Sequence, residues 1–367
     1  MKIAVTGPDG FLAWHLRCLV RSRHGSDCVL VGRSEFASSE TLAEALNDVD
    51  AIVHLAGVNR AADDATVAEE NTGLARRLIA ALDLIDRPIT VVYGNSVQSL
   101  GDSVFGVAKR AAGNALESWA HRRGAAFVDV LLPNIFGEGG RPFYNSVVAT
   151  FCHQIAGGET PRIDVDRTLP LLHAQRAAAV LLNACEATSI ERYAPEGTPR
   201  TVSDVLAQIQ TMSDDYRRGD LPNLADPFTR DLFNTYRSFT FPHQWPVYPE
   251  FRSDPRGSLF EAVRARGGET QSFLSTTNPG FTRGQHYHLH KVERFLVVKG
   301  TAEIRLRRLF GSEVVTFPVS GERPGFIDMP TMWVHSISNT GSDELLTLFY
   351  ADDLFDPVDP DTYPEEV

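Results

Sequence analysis

From Lys2 onward the chain alternates short β-branched runs with stretches of helical spacing, and few folds accept that pattern. Ile3 to Val5 are apolar, Gly7 to Gly10 form a turn, and Phe11 to Val20 repeat apolar residues at helical intervals. A second strand, Cys28 to Val31, ends at Gly32-Arg33, and a third, Ala51 to Leu55, ends at Ala56-Gly57. The alternation continues with a helix near Thr66 to Leu84, a strand at Ile89 to Tyr93, a helix from Phe105 to Arg122 and a strand at Ala126 to Leu132. Strands joined by helices must pair in parallel and cover both faces, which predicts an α/β, doubly wound parallel sheet. After Asp215, breaks at Pro222, Pro242, Pro246 and Pro249 read as a linker, and beyond Phe251 short strands dominate without a long helix. A length of 367 residues suits two or three domains. The expected division is 1–242 and 243–367, the second part all-β.

The composition removes several classes of function. A formal charge of -12, with no block of basic residues, argues against nucleic-acid binding, which needs a basic footprint. No apolar run is long enough to span a bilayer, and Met1 to Gly7 enter structure without a signal-peptide core, so a cytoplasmic location is expected. Cys18, Cys28, Cys152 and Cys185 lack metal or redox spacing and read as reduced, buried thiols.

Two places carry chemistry. The first is Thr6-Gly7-Pro8-Asp9-Gly10-Phe11-Leu12-Ala13, at the first strand-helix junction. Glycines there let a backbone approach a pyrophosphate, and the helix N-terminus adds amides and a positive dipole end. At the end of the second strand, Arg33 offers a guanidinium suited to a 2'-phosphate and favours NADP(H) over NAD. The second place is Gly280-x5-His286-x-His288-x4-Glu293-x6-Gly300, followed much later by His335. Alternate residues of a strand share a face, so His286 and His288 point the same way. A turn after His288 brings Glu293 back on the neighbouring strand, and His335 arrives from a later hairpin. Three imidazoles and a carboxylate suit a divalent transition metal.

That spacing resembles the first cupin motif, and Pro330 to His335 with Asn339 resembles the second, with Met332 where glycine is usual. The N-terminal half resembles the Rossmann-like extended short-chain dehydrogenase/reductases (SDR). Leu55-Ala56-Gly57 and Asn71 match their cofactor-facing segments, and Ser96 and Lys109 match catalytic positions. There the lysine holds the ribose and lowers the pKa of a tyrosine that delivers the proton, but Phe105 stands at the tyrosine position and has nothing to donate.

Nearly the full length resembles the CapF-type bifunctional enzymes of bacterial capsular polysaccharide biosynthesis. The carrying stretches include His54 to Arg60, Pro133 to Gly137, Tyr144 to Cys152, Asp254 to Ser258, Phe355 to Pro357 and Pro360 to Tyr363. The resemblance implies a cupin barrel that epimerises C3 of a UDP-linked 4-keto sugar, NADPH reduction at C4 in the first domain, zinc at His286, His288, Glu293 and His335, and a homodimer. Epimerisation needs a base and a means of holding the enolate's charge, so Arg256 and Arg283 are candidates for the diphosphate or the enolate, Tyr287 and His290 for carrying protons, and Asn134 for binding substrate. His173-Ala174-Gln175-Arg176 departs from the family's Tyr-Val-Asp-Asp type segment. The string Arg283 to Tyr287 is also similar to that of metal-free deoxysugar epimerases, whose matching histidine is a base; the ligand set favours metal at His286. The alternatives are a cupin metalloenzyme acting on another small metabolite, and a first half that serves only as a scaffold.

Overall fold

The computed structural model describes residues 1–255 and 257–367. The chain begins β1 (Ile3–Thr6), α1 (Phe11–His24), β2 (Val29–Val31), α2 (Ser39–Leu46), β3 (Ala51–His54), α3 (Asp64–Leu84), β4 (Thr90–Ser96), α4 (Val104–Arg123) and β5 (Phe127–Leu132). It continues with β6 (Asn134–Phe136), α5 (Val147–Ala156), β7 (Thr168–His173), α6 (Ala174–Ala184), β8 (Ile190–Tyr193) and β9 (Thr198–Thr201). Six strands make one parallel sheet in the order β2-β1-β3-β4-β5-β8. The order turns back on itself beside β1, so the C-terminal ends of β1 and β3 flank a topological switch point. Strands β1, β3 and β5 are buried throughout, as helices on both faces require. Leu78 and Leu82 of α3, Leu116 and Trp119 of α4, and Ile52, Val91 and Phe127 of the sheet form the core.

The remaining elements are α7 (Val202–Arg217), β10 (Asp220–Leu221), α8 (Pro227–Thr240), β11 (Arg252–Asp254), β12 (Gly257–Leu259), β13 (Arg264–Ala265), β14 (Gln271–Thr277), β15 (Thr282–Tyr287) and β16 (Glu293–Lys299). They end with β17 (Thr301–Arg308), β18 (Val314–Ser320), β19 (Phe326–Met329), β20 (Trp333–Asn339), β21 (Leu345–Ala351) and β22 (Tyr363–Pro364). Two antiparallel sheets dominate, β14-β21-β16-β19 and β18-β17-β20-β15-β22. They share one apolar core, including Phe295 and Phe349 from the first and Ile304, Leu306 and Ile337 from the second.

The chain separates into two compact units, 1–136 with 168–200, and 137–167 with 201–367. Pro242, the boundary expected from the sequence, therefore lies inside the second unit. The stretch read as a linker contains α8, with Asp226 as its N-cap, Pro227 in its first turn, and Leu232, Phe233 and Tyr236 buried. Prolines at both ends of this segment bound the helix; they do not abolish it.

Candidate metal centre and cofactor loop

In the second unit β15 supplies His286, the residue after its end is His288, β16 opens on Glu293, and β20 supplies His335. His286 and His335 face each other in the antiparallel ladder. A bulge between Gly284 and His286 leaves Gln285 at φ 61, after Gly284 at φ 88. An added Cβ on Gly284 would meet the His335 carbonyl oxygen at 2.8 Å, so glycine permits the close approach that aims His286 inward. Glu293 does not lie on the strand paired to β15. It belongs to the opposing sheet, so the group spans both layers and presents its carboxylate across from the imidazoles.

The ligand atoms of the four residues lie within 4.8 Å of one another. Glu293 Oε2 is 3.1 Å from His288 Nε2, 3.1 Å from His335 Nε2 and 3.8 Å from His286 Nε2. A tetrahedron with ~2.1 Å arms has edges of ~3.4 Å, so these separations straddle what one small cation needs. The far nitrogens meet carbonyls: His288 Nδ1 lies 2.5 Å from the Asp361 oxygen and His335 Nδ1 3.1 Å from the Trp333 oxygen. A carbonyl only accepts, which assigns the Nδ1 protons and turns the Nε2 lone pairs toward Glu293. His286 Nε2 is buried without a hydrogen-bond partner. Burial holds His335 down to about 4 even though Glu293 opposes the shift, so this ring is neutral at physiological pH. Lone pairs facing an anion in a buried site are favourable only around a cation, and this donor set fits a divalent one.

Tyr287 is buried, with its ring 5.4 Å from that of Tyr363. His290 is partly buried, and its carbonyl accepts from Asn234. Arg283 is exposed and spends its guanidinium on the Thr276 carbonyl and the Thr277 hydroxyl. Arg256 lies outside the described residues.

In the first unit Gly7 follows β1 at φ 67, and an added Cβ would meet the Ala56 Cα at 3.0 Å. The turn therefore requires glycine. Gly10 caps α1 with no side chain over the amides, which leaves the helix start open to an anion beside Asp9, Phe11 and Leu12. Thr6 Oγ1 accepts from the Leu55 and Ala56 amides, tying the ends of β1 and β3 together, and its other neighbour is His54 Nδ1 at 2.8 Å. Thr6 opens the glycine motif in the sequence, but its tie to the end of β3 is visible only in the fold. Asn71 is buried, and its amide binds the Val58 backbone through both ends, which fixes the loop after Gly57. Arg33 is exposed. Glu35, not singled out in the sequence, accepts from the Gly32 amide at 2.7 Å and puts a carboxylate at the same strand end.

Ser96 ends β4, where its hydroxyl accepts from the Gln98 amide. Lys109 is buried on α4, donates to the Gly94 carbonyl at 2.9 Å and sits 4.1 Å above the Tyr93 ring. Burial lowers its pKa to about 7, opposed by Asp129. Phe105 lies four residues earlier on the same helix, hence on the same face. Asn134 is exposed at the start of β6. His173 is buried at the N-cap of α6, where its ring accepts from the Gln175 amide.

Residues 3–193 match the NAD dependent epimerase/dehydratase family, and residues 252–363 match the polysaccharide biosynthesis C-terminal domain. A UDP-2-acetamido-2,6-beta-L-arabino-hexul-4-ose reductase of Pseudomonas aeruginosa is 30% identical, over 99% of this chain and 98% of its own. The structure of the capsular polysaccharide assembling protein CapF from Staphylococcus aureus matches all of both chains at 30% identity and a TM-score of 0.64. UDP-N-acetylglucosamine 4-epimerase from Bacillus cereus, 22% identical with a TM-score of 0.52, shares the fold over 59% of this chain and 82% of its own. None of the helices among the described residues is long and apolar enough to cross a membrane.

Proposed function

The chain belongs to the NAD dependent epimerase/dehydratase family, and on that footing we propose that it modifies a UDP-linked 4-keto sugar at two sites. The second unit, a cupin-type double sheet, epimerises C3. The first binds NADP(H) and reduces C4 slowly. The observation that carries this reading is the clustered His286, His288, Glu293 and His335 group, in a chain similar from end to end to a relative named as a UDP-2-acetamido-2,6-beta-L-arabino-hexul-4-ose reductase. A 4-keto group acidifies the C3 hydrogen, so epimerisation needs a base, a means of holding the enolate's charge, and a proton from the other face. Tyr287 and His290, adjoining the ligands, are the proposed proton carriers, while Asn134, Arg256 and Arg283 remain the proposed substrate contacts. A divalent cation, zinc by its donor set, would supply fixed positive charge in a site poor in water. The test is incubation with a UDP-4-keto sugar in deuterated water. Deuterium appearing at C3 without NADPH supports the reading, and its absence with every such sugar removes the substrate class.

One tightly bound divalent metal per chain is expected in protein purified without chelator, and His288→Ala should release it, because a buried ligand set cannot hold its charge with a member missing. Elemental analysis decides this, and metal-free wild-type protein would count against the whole assignment.

In the first unit the glycine turn and the open helix start would hold the pyrophosphate, and the bound cofactor would supply hydride. Ser96 and Lys109 would position sugar and ribose. NADPH should bind more tightly than NADH through Arg33. The contact is solvent-screened and shares its loop with Glu35, so the preference should be about 1 kcal/mol, roughly five-fold, and disappear in Arg33→Ala. Calorimetric titration showing equal affinities in the unmodified protein would refute it.

A homodimer is proposed through the edge of β14 that pairs with no other strand among the described residues, where Phe273 and Leu274 are 43% and 62% exposed. Apolar edge strands seldom remain uncovered. Sedimentation should give twice the chain mass, and Leu274→Lys should shift it toward monomer; a wild-type monomer at micromolar concentration argues against this interface.

A further inference from the structure

The turn between His288 and Glu293 has almost no regular pairing of its own, yet most of its backbone polar groups are committed to groups remote in sequence. The Asp361 carboxylate accepts from three successive amides, Leu289 at 2.9 Å through Oδ1, and His290 at 2.9 Å and Lys291 at 2.8 Å through Oδ2. The next amide, Val292, donates to Asp352 Oδ1 at 2.7 Å, and the Asp352 amide returns a bond to the Val292 carbonyl at 3.1 Å. The His288 carbonyl accepts from Met332 N at 2.7 Å, and the His290 carbonyl from Asn234 Nδ2 at 2.7 Å. Lys291 Nζ reaches back to the Pro360 carbonyl and the Thr362 hydroxyl, so turn and C-terminal segment grip each other in both directions.

Asp361 makes a second kind of contact from the same residue. Its carbonyl oxygen lies 2.5 Å from His288 Nδ1. Facing the imidazole with the carbonyl and the turn with the carboxylate requires an unusual backbone, and Asp361 has φ 39. That left-handed region is unfavourable for a side-chain-bearing residue and persists only where surrounding contacts enforce it. The next strand, β22, pairs Tyr363 with Tyr287 and Pro364 with His286, which anchors the segment beside the ligands.

We propose that Asp361 is the positioning residue of the metal centre: through one carboxylate and one carbonyl it fixes both the His288 ring and the turn that delivers Glu293. This rests on the metal reading above and deepens it. Successive amides aimed at one anion form a nest, and here the anion is built into the chain. Outer contacts of this kind usually change metal affinity by about 10- to 100-fold. Linkage makes the effect reciprocal, so metal bound at His288 and Glu293 should in turn tighten the 360–363 segment on the turn.

The test uses the full chain with Zn2+ or Co2+ as the probe. Asp361→Gly keeps the left-handed backbone and the carbonyl but removes the carboxylate; Asp361→Asn keeps one acceptor oxygen. Zinc affinity by chelator competition should fall about 10- to 100-fold in Asp361→Gly and by less in Asp361→Asn. The Co2+ absorption bands should shift in Asp361→Gly, which lost stability alone would not produce. In the unmodified protein, metal should slow hydrogen exchange at amides 289–291, and that protection should be missing in Asp361→Gly. If Asp361→Gly does not fold, the Asp361→Asn affinity and spectrum decide. Unchanged zinc affinity and Co2+ spectrum in folded variants overturn the proposal while leaving the metal reading intact. Failure of the unmodified protein to bind either ion overturns both.

Discussion

Phe105→Tyr should raise NADPH oxidation with a UDP-4-keto sugar by about 10²- to 10⁴-fold, the usual contribution of a positioned general acid. Reduction of a ketone puts negative charge on the C4 oxygen as hydride arrives, and a proton must meet it. Phe105 occupies the face of α4 that Lys109 shares, one turn away, so a tyrosine there would stand where the relay needs one. Tyr93 does not substitute for it. Its ring is buried beneath Lys109, and burial pushes its pKa far up, so it is poorly placed to release a proton to substrate. The gain should also depend on pH. Lys109 lowers a tyrosine pKa only while charged, and with its own pKa at about 7 it is charged below that value and neutral above it. Rescue should therefore be larger at pH 6 than at pH 8 in assays of NADPH absorbance. Exchange of deuterium into C3 should stay unchanged, because that chemistry is assigned to the second unit. Brisk oxidation by the unmodified protein would mean that another group donates the proton.

What the sequence disclosed and what it concealed follow from the range of the forces involved. The parallel sheet was legible because each strand and helix announces itself within a few residues, and Gly7 marks the junction through a local need for positive φ. The clustering of His286, His288, Glu293 and His335 was legible because three lie within eight positions of one another and the fourth is a histidine near a strand start. Their arrangement was not legible: a two-residue alternation says that His286 and His288 share a face but cannot say that Glu293 begins a strand of the opposite sheet. Helix α8 was hidden because prolines at its borders signal breaks more loudly than its interior signals a helix, and because several of its polar side chains are buried beside the apolar ones. Arg237, for example, is buried in its last turn and donates to the Met329 carbonyl. Asp361 lies 73 residues from His288, and no local pattern links an aspartate near the chain's end to a turn that far back. The same limit applies to residues 137–167, which pack with residues 201–367 although in sequence they lie between β5 and β8 of the first sheet.

The largest stability effect should come from a pair that sequence reading did not single out. Arg294 of β16 and Asp328 of β19 face each other in the antiparallel ladder, and both are 1% exposed. The contact is bidentate, with Arg294 Nε 2.6 Å from Asp328 Oδ1 and Nη2 2.9 Å from Oδ2. The remaining nitrogen, Nη1, donates to the Gly219 carbonyl at 3.0 Å, the Tyr216 hydroxyl donates to Asp328 Oδ2 at 2.9 Å, and the guanidinium lies 3.7 Å over the Phe326 ring. Burial alone would drive the arginine toward neutrality, but the Asp328 charge more than offsets it and raises the Arg294 pKa. Taking both ions from water costs about as much as their attraction returns, so the intact pair adds little net stability. Removing one partner is different, since the other charge stays buried without compensation. Asp328→Ala should destabilise the second unit by about 3–5 kcal/mol, which for a unit of this size lowers Tm by roughly 6–20 °C. The double variant Arg294→Met with Asp328→Leu should recover most of that loss, because it removes both charges and fills the space with apolar volume. A thermal melt of the three proteins separates the explanations. If the double variant is as unstable as Asp328→Ala, the bonds to Gly219 and Tyr216 carry the stability and the pair's charge balance does not.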